Sequence, residues 1–118
     1  MEKLFDAEYR LMEILWELDP VNSTKLVGVC REKLGWNKST TYTVLRKICQ
    51  KGAAKNENAT VTSLISKEQA QASRLEEMVE ETFEGSIPAF IAAFSRSRKL
   101  TKQEVQELRQ LIDDYGEG

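Results

Sequence analysis

The chain contains no histidine. That removes the commonest general base at neutral pH and the commonest metal ligand. Cysteine is scarce as well. Cys30 and Cys49 form neither a CxxC pair nor a disulfide framework. Each falls among apolar residues at helical spacing and reads as a small buried thiol rather than a redox centre. No metal and no cofactor is therefore expected. A phosphate-cradling glycine loop and a nucleophile–base pair are missing too, which leaves an enzyme little to stand on. No apolar run approaches the roughly 18 residues of a membrane span. The start, Met1-Glu2-Lys3-Leu4-Phe5-Asp6, lacks the apolar core of a secretory signal. The expectation is a cytoplasmic protein with no direct membrane insertion.

What is present fits a small folded protein: 118 residues, 41% apolar and 31% charged. The net charge of −2 hides an asymmetry. Residues 1–60 hold ten Lys/Arg and eight Asp/Glu, whereas residues 61–118 hold seven and eleven. The sharper signal lies in Trp36–Asn56, which carries Lys38, Arg46, Lys47, Lys51 and Lys55 and no acid. A local acid-free basic stretch is what a phosphate-facing surface requires, whatever the whole-chain balance. A solvated helix face with ordinary lysines is the alternative reading.

The spacing predicts a first helix from an N-cap at Asp6, with Tyr9, Met12, Leu15 and Trp16 turned inward. Asp19-Pro20 ends it. Ser23 is read as the cap of a second helix carrying Leu26, Val27, Cys30 and Leu34, closed by Gly35. Asn37 opens a third helix that runs to about Lys51, and Gly52 stops it. At 100° per residue, Thr41, Val44, Leu45, Ile48 and Cys49 share one side of this helix. Ser39, Thr43, Arg46, Lys47 and Gln50 take the other, with Thr40 and Tyr42 at its flanks. One face can pack, and the other offers hydroxyls, an amide and cations without a carboxylate.

Ala53–Glu57 and Thr60–Ile65, joined by Asn58-Ala59, read as a small hairpin. Helical patterns return at Ser66, where Ser66 and Gln69 suggest a capping box, as Thr101 and Glu104 do later. Leu75, Met78, Val79 and Phe83 share a face. After Glu84-Gly85-Ser86 come Ile87, Phe90, Ile91 and Phe94, then Val105, Leu108, Leu111, Ile112 and Tyr115. Glu76, Glu77, Glu80, Glu81 and Glu84 read as a solvated face rather than a metal cluster. About fifty residues are marginal for a self-contained core, so this segment is expected to pair with a second copy.

Three helices with a basic third one, followed by a hairpin, is the order of a winged helix-turn-helix. There the third helix enters the DNA major groove and the wing approaches the backbone. The expected fold class is mainly α with a small β-hairpin. A winged helix-turn-helix over 1–65 precedes a helical dimerisation segment over 66–118. Such a domain can also serve as a protein-binding module without DNA. The residues expected to meet DNA are Lys38, Ser39, Thr40, Tyr42, Thr43, Arg46 and Lys47. Those expected to bury surface in a homodimer are Phe90, Phe94, Leu108, Leu111 and Ile112.

The stretch Asp6-Ala7-Glu8-Tyr9-Arg10-Leu11-Met12-Glu13-Ile14-Leu15-Trp16 resembles the opening helix of the penicillinase-repressor family, which includes β-lactamase and methicillin-resistance repressors and copper-responsive relatives. Trp36-Asn37-Lys38-Ser39-Thr40-Thr41-Tyr42-Thr43-Val44-Leu45 resembles its recognition helix, and Gln50-Lys51-Gly52-Ala53 the exit from it. Phe83-Glu84-Gly85-Ser86, Ala93-Phe94, Leu100-Thr101 and Glu104-Val105-Gln106-Glu107-Leu108 match in order and spacing. The resemblance implies a homodimer on palindromic double-stranded operator DNA, repressing genes until a signal releases it. In antibiotic-responsive members a membrane sensor protease pathway leads to cleavage at an asparagine–phenylalanine-like bond. The matching position here is Ala93-Phe94. The wing lacks the aromatic residues common in the family. Asp113–Gly118 holds no cysteine, so copper sensing through a cysteine-rich tail is not expected.

Overall fold

The computed structural model describes residues 2–116. Met1, Glu117 and Gly118, the outer ends of the two segments read from the sequence, lie outside them. Six helices and three short strands follow in the order α1 (Asp6–Leu18), β1 (Val21–Asn22), α2 (Ser23–Leu34), α3 (Lys38–Gln50), β2 (Ala54–Glu57), β3 (Thr60–Ser63), α4 (Lys67–Phe83), α5 (Ile87–Ser97) and α6 (Lys102–Tyr115). The residues form two compact units, Met1–Glu77 and Met78–Gly118, and α4 contributes to both.

The first unit is built on α1, α2 and α3. Their inward stripes bring Leu11, Met12, Leu15, Leu26, Cys30 and Ile48 into one core, each out of contact with solvent. The caps fix where these helices begin. α1 starts one residue earlier in its cap than expected: Phe5 occupies the N-cap position, and its N–H donates to Glu8 Oε1 at 2.8 Å. The cap of α2 is Asn22 rather than Ser23, because Asn22 Oδ1 accepts from Thr24 N while the Ser23 N–H is spent on the Ala59 carbonyl. Asn37 caps α3 as expected, accepting from Thr40 N at 2.8 Å. Gly35 closes α2 at φ 70°, in the left-handed region that glycine enters without steric cost.

The hairpin is present, and it is part of a three-stranded antiparallel sheet of order β1-β3-β2. Val21 pairs with Val61 and Asn22 with Thr60 on one side of β3. On the other, Ala54 pairs with Ser63 and Glu57 with Thr60. Asn58 and Ala59 turn between β2 and β3 with φ of 52° and 63°, as a two-residue hairpin loop with a primed turn demands. Val61 is the one fully buried residue of β3 and anchors the sheet on the core. Trp16 Nε1 reaches across to Ser63 Oγ and the Ile65 carbonyl.

α4 begins with the Ser66–Gln69 capping box, whose reciprocal bonds measure 2.8 and 3.0 Å. Its first turns bury Ala70 and set Arg74 against α1, where the guanidinium pairs with Asp6 and lies 4.2 Å from the Tyr9 ring.

In the second unit, Glu84 and Gly85 take left-handed conformations before Ser86 caps α5 by accepting from Ala89 N. The Thr101–Glu104 box opens α6. Phe83 meets Phe90 edge-on at 5.7 Å between ring centroids, and Phe90 is followed by Phe94 at 6.5 Å. No described residue of α5 or α6 is buried. Among the described residues, no helix is long and apolar enough to cross a membrane.

Candidate nucleic-acid interface

The exposed face of α3 is set by what its other face buries. Thr41, Val44, Leu45 and Ile48 are buried, which turns Lys38, Ser39, Thr40, Thr43, Arg46 and Lys47 to solvent. Thr41 is a hydroxyl on the inner face. Its Oγ1 donates to the Asn37 carbonyl and its side chain partners the Cys30 thiol, so its polarity is satisfied within the core. Burial pushes the thiols of Cys30 and Cys49 up, with Thr41 opposing the shift at Cys30. High-pKa thiols are poor nucleophiles and poor ligands.

The basic stretch divides in three dimensions. Lys51 belongs to the interior architecture: its Nζ lies 2.6 Å from Glu8 Oε1 and donates to the Lys3 carbonyl. Lys55 pairs loosely with Glu57 across 3.8 Å on the wing. Among the described residues, Lys38, Arg46 and Lys47 form no ion pair. These three cations share the α3 surface with Ser39, Thr40 and Thr43. No acid occupies the first turn of α3, so its N-terminal amide dipoles add to the positive field. Neither does any acid occupy the first turn of α2.

Tyr42 sits at the edge of this face rather than on it. It is half-buried, its hydroxyl lies 3.4 Å from Ser23 Oγ, and Lys38 Nζ stands 6.0 Å from its ring centroid. The ring thus props the N-terminal turn of α3 against the start of α2. Sequence reasoning placed Tyr42 by helical phase alone, and phase cannot report a partner nineteen residues away.

The residues expected to pair two copies lie in the second unit. α5 and α6 enclose a groove of about 370 Å³ whose apolar lining includes Phe90, Phe94, Leu100, Leu108 and Leu111. Phe94, Leu111 and Ile112 are exposed, and Phe90 and Leu108 are half-buried. Arg98 crosses one end, 5.3 Å from the Phe94 ring and ion-paired to Glu104 at 2.6 Å. Ala93 and Phe94 lie within α5, not in a loop.

Three helices, an acid-free exposed face on the third and a sheet wing joined to the first define a winged-helix protein. The match to known sequences narrows this further. The family model for penicillinase repressors matches residues 4–114, and the chain belongs to that family of transcriptional repressors. It is 19% identical over 117 residues to the penicillinase repressor of Bacillus licheniformis, covering 96% of this chain and 91% of that protein. It is also 24% identical over 110 residues to an uncharacterized 16.5 kDa protein of Latilactobacillus sakei, covering 90% and 75%.

Proposed function

We propose that the chain represses transcription by binding palindromic double-stranded operator DNA as a homodimer. Residues 1–65 read the DNA and residues 66–118 hold the two copies together. The observation that carries this reading is the acid-free exposed face of α3, where Lys38, Arg46 and Lys47 stand without carboxylate partners among the described residues. Ordinary solvent-facing helices mix both signs; a surface with only donors and cations is matched to a polyanion. In this reading Thr40 and Thr43 meet base edges or adjacent phosphates, Ser39 and Lys38 meet the backbone, and Arg46 and Lys47 supply charge. Tyr42 holds the helix at its working tilt from the flank.

The homodimer buries Phe90, Phe94, Leu108, Leu111 and Ile112, whose apolar surface α5 and α6 leave uncovered in a single chain. Release follows from loosening that pairing. Cleavage of the Ala93–Phe94 bond, at the end of a membrane sensor protease pathway, would do so by separating α6 from the first half of α5. The bond is helical, so a protease needs local opening first, and a helix with no buried residue opens at low cost. Gel-shift titration against fragments of the genome tests the core of the proposal. A set of retarded fragments sharing an inverted repeat is the expected result. No retardation at any salt concentration would overturn it in favour of a protein-binding winged helix.

A further inference from the structure

Glu8 is a carboxylate where the helix phase calls for an apolar side chain. It lies three, four and seven residues before Leu11, Met12 and Leu15, all fully buried, and is itself only 2% exposed. Its Oε1 accepts from Phe5 N and from Lys51 Nζ, while Oε2 is buried without a hydrogen-bond partner among the described residues. Lys51 is the C-cap of α3. Its ammonium is held by Glu8 and the Lys3 carbonyl, and lies 4.4 Å from the centroid of the Phe5 ring. One charge pair therefore fastens the C-cap of α3 to the first turn of α1.

Stability alone does not account for such a pair. Desolvating both charges offsets most of their attraction, and apolar residues of similar volume often serve as well or better. What a buried pair adds is geometry, because it is satisfied in one arrangement whereas apolar surfaces tolerate sliding. The other end of α3 is fixed by the Asn37 cap and the Tyr42 prop. We infer that Glu8 and Lys51 are positioning residues that set the pose of α3 on α1, and with it the discrimination of operator from random DNA. Lys51 itself is no phosphate ligand in this proposal, since its largely buried ammonium is committed to Glu8, the Lys3 carbonyl and the Phe5 ring. The inference about discrimination rests on the proposed reading of DNA by α3; the inference about pose does not.

The test uses the full chain carrying Glu8→Gln and Lys51→Met together, which removes both charges and keeps the volumes. Residual dipolar couplings of the free protein report the orientation of α3 relative to α1. Titrations with operator and random duplexes at several salt concentrations report function. We expect a folded protein with α3 reoriented. Its preference for operator should fall about tenfold, the size of one well-made base contact. The salt slope should stay at the wild-type value. An unchanged orientation of α3 would overturn the proposal whether or not the wild-type chain binds DNA. So would unchanged discrimination, or a salt slope reduced by about one, the signature of a lost phosphate contact. Should the double variant not fold, Glu8→Gln alone carries the same measurements. A wild-type chain that binds no DNA refutes the proposed function, and the orientation of α3 then decides the positioning role by itself.

Discussion

The indole N–H of Trp16 donates to two acceptors on the wing at once, Ser63 Oγ at 3.1 Å and the Ile65 carbonyl at 3.0 Å. Ser63 Oγ in turn donates to the same carbonyl and accepts from Ile65 N, so the end of β3 closes on itself around the indole. Trp16→Phe keeps most of the apolar surface and removes the donor. The expected cost is about 1–2 kcal/mol in urea unfolding, the range for a half-buried acceptor pair losing its partner. Amide exchange should accelerate in residues 60–65 before it does in α2. Equal protection of the wing in both proteins would show the indole bonds to be idle.

Ala59 occupies the second position of the β2–β3 turn at φ 63°, where a Cβ is disfavoured, and its carbonyl accepts from Ser23 N at 2.8 Å. Ala59→Gly relieves the backbone without removing that bond. It should stabilise the protein by about 0.5–1 kcal/mol, after the extra unfolded-state freedom of glycine is discounted. Ala59→Val should destabilise it, since a branched side chain tolerates the left-handed region poorly. Paired thermal melts decide the sign of each.

Much of this fold is legible because its signals are local. Asn37, Gly35, the Ser66–Gln69 box and the Thr101–Glu104 box each act over a few residues, and each lies where the sequence places it. β1 escaped detection because a two-residue strand has no period. The Asp6 and Ser23 caps were misplaced by one residue each, for want of knowing which N–H was already engaged. Glu8 is more instructive. It stands outside the inward stripe read from Tyr9, Met12, Leu15 and Trp16, because a carboxylate gives no apolar signal and its partner lies 43 residues away. The same distance hides what Lys51, one of the cations of the acid-free stretch, is paired with: charge is visible in a sequence, and the acid that neutralises it is not.

The Glu104 carboxyl is held below the ordinary glutamate pKa of 4.5, first by the Thr101 N–H and further by Arg98 and the Thr101 hydroxyl. A depressed folded pKa contributes stability that is complete above the unfolded value and fades as pH falls through the folded one. The start of α6 should therefore fray on acidification below about pH 4.5. In an NMR titration, Glu104 should titrate below the ordinary glutamate value, and Thr101→Ala, which removes the hydroxyl but keeps the backbone N–H, should move its midpoint part of the way back up. A Glu104 midpoint at the ordinary glutamate value in the wild-type chain, or one unmoved by Thr101→Ala, would contradict the capping box as the cause.

Lys47 and Thr43 share the exposed face of α3 but differ in what they offer DNA. A cation at a phosphate releases counterions whatever the sequence, so Lys47→Ala should weaken all duplexes alike and lower the salt slope by about one. Thr43→Val keeps the shape and removes a hydroxyl. It should change the ranking of operator variants and leave the slope alone. Anisotropy titrations at three salt concentrations separate the effects. If neither variant alters operator binding, α3 is not the reading helix.

Phe90 and Leu108 line the same groove from α5 and α6, and both are only half-buried in the single chain. A second copy that covers them makes their truncation costly at the interface, whereas in an isolated chain they would have little left to lose. Phe90→Ala with Leu108→Ala should thus shift sedimentation toward monomer, with about 3–5 kcal/mol lost for the phenylalanine if it becomes fully buried. The first unit has its own core over Met1–Glu77 and should keep its fold and its melting transition. Operator affinity should nonetheless fall by about 10²–10⁴, because in the proposed dimer two reading heads bind the second half-site intramolecularly. Affinity for an isolated half-site should stay within a factor of about two, as no surface of α3 has changed. That contrast separates loss of the dimer from damage to the reading head. A variant that remains a dimer at nanomolar concentration, or that loses half-site binding as well, would rule out this groove as the seam between the two copies.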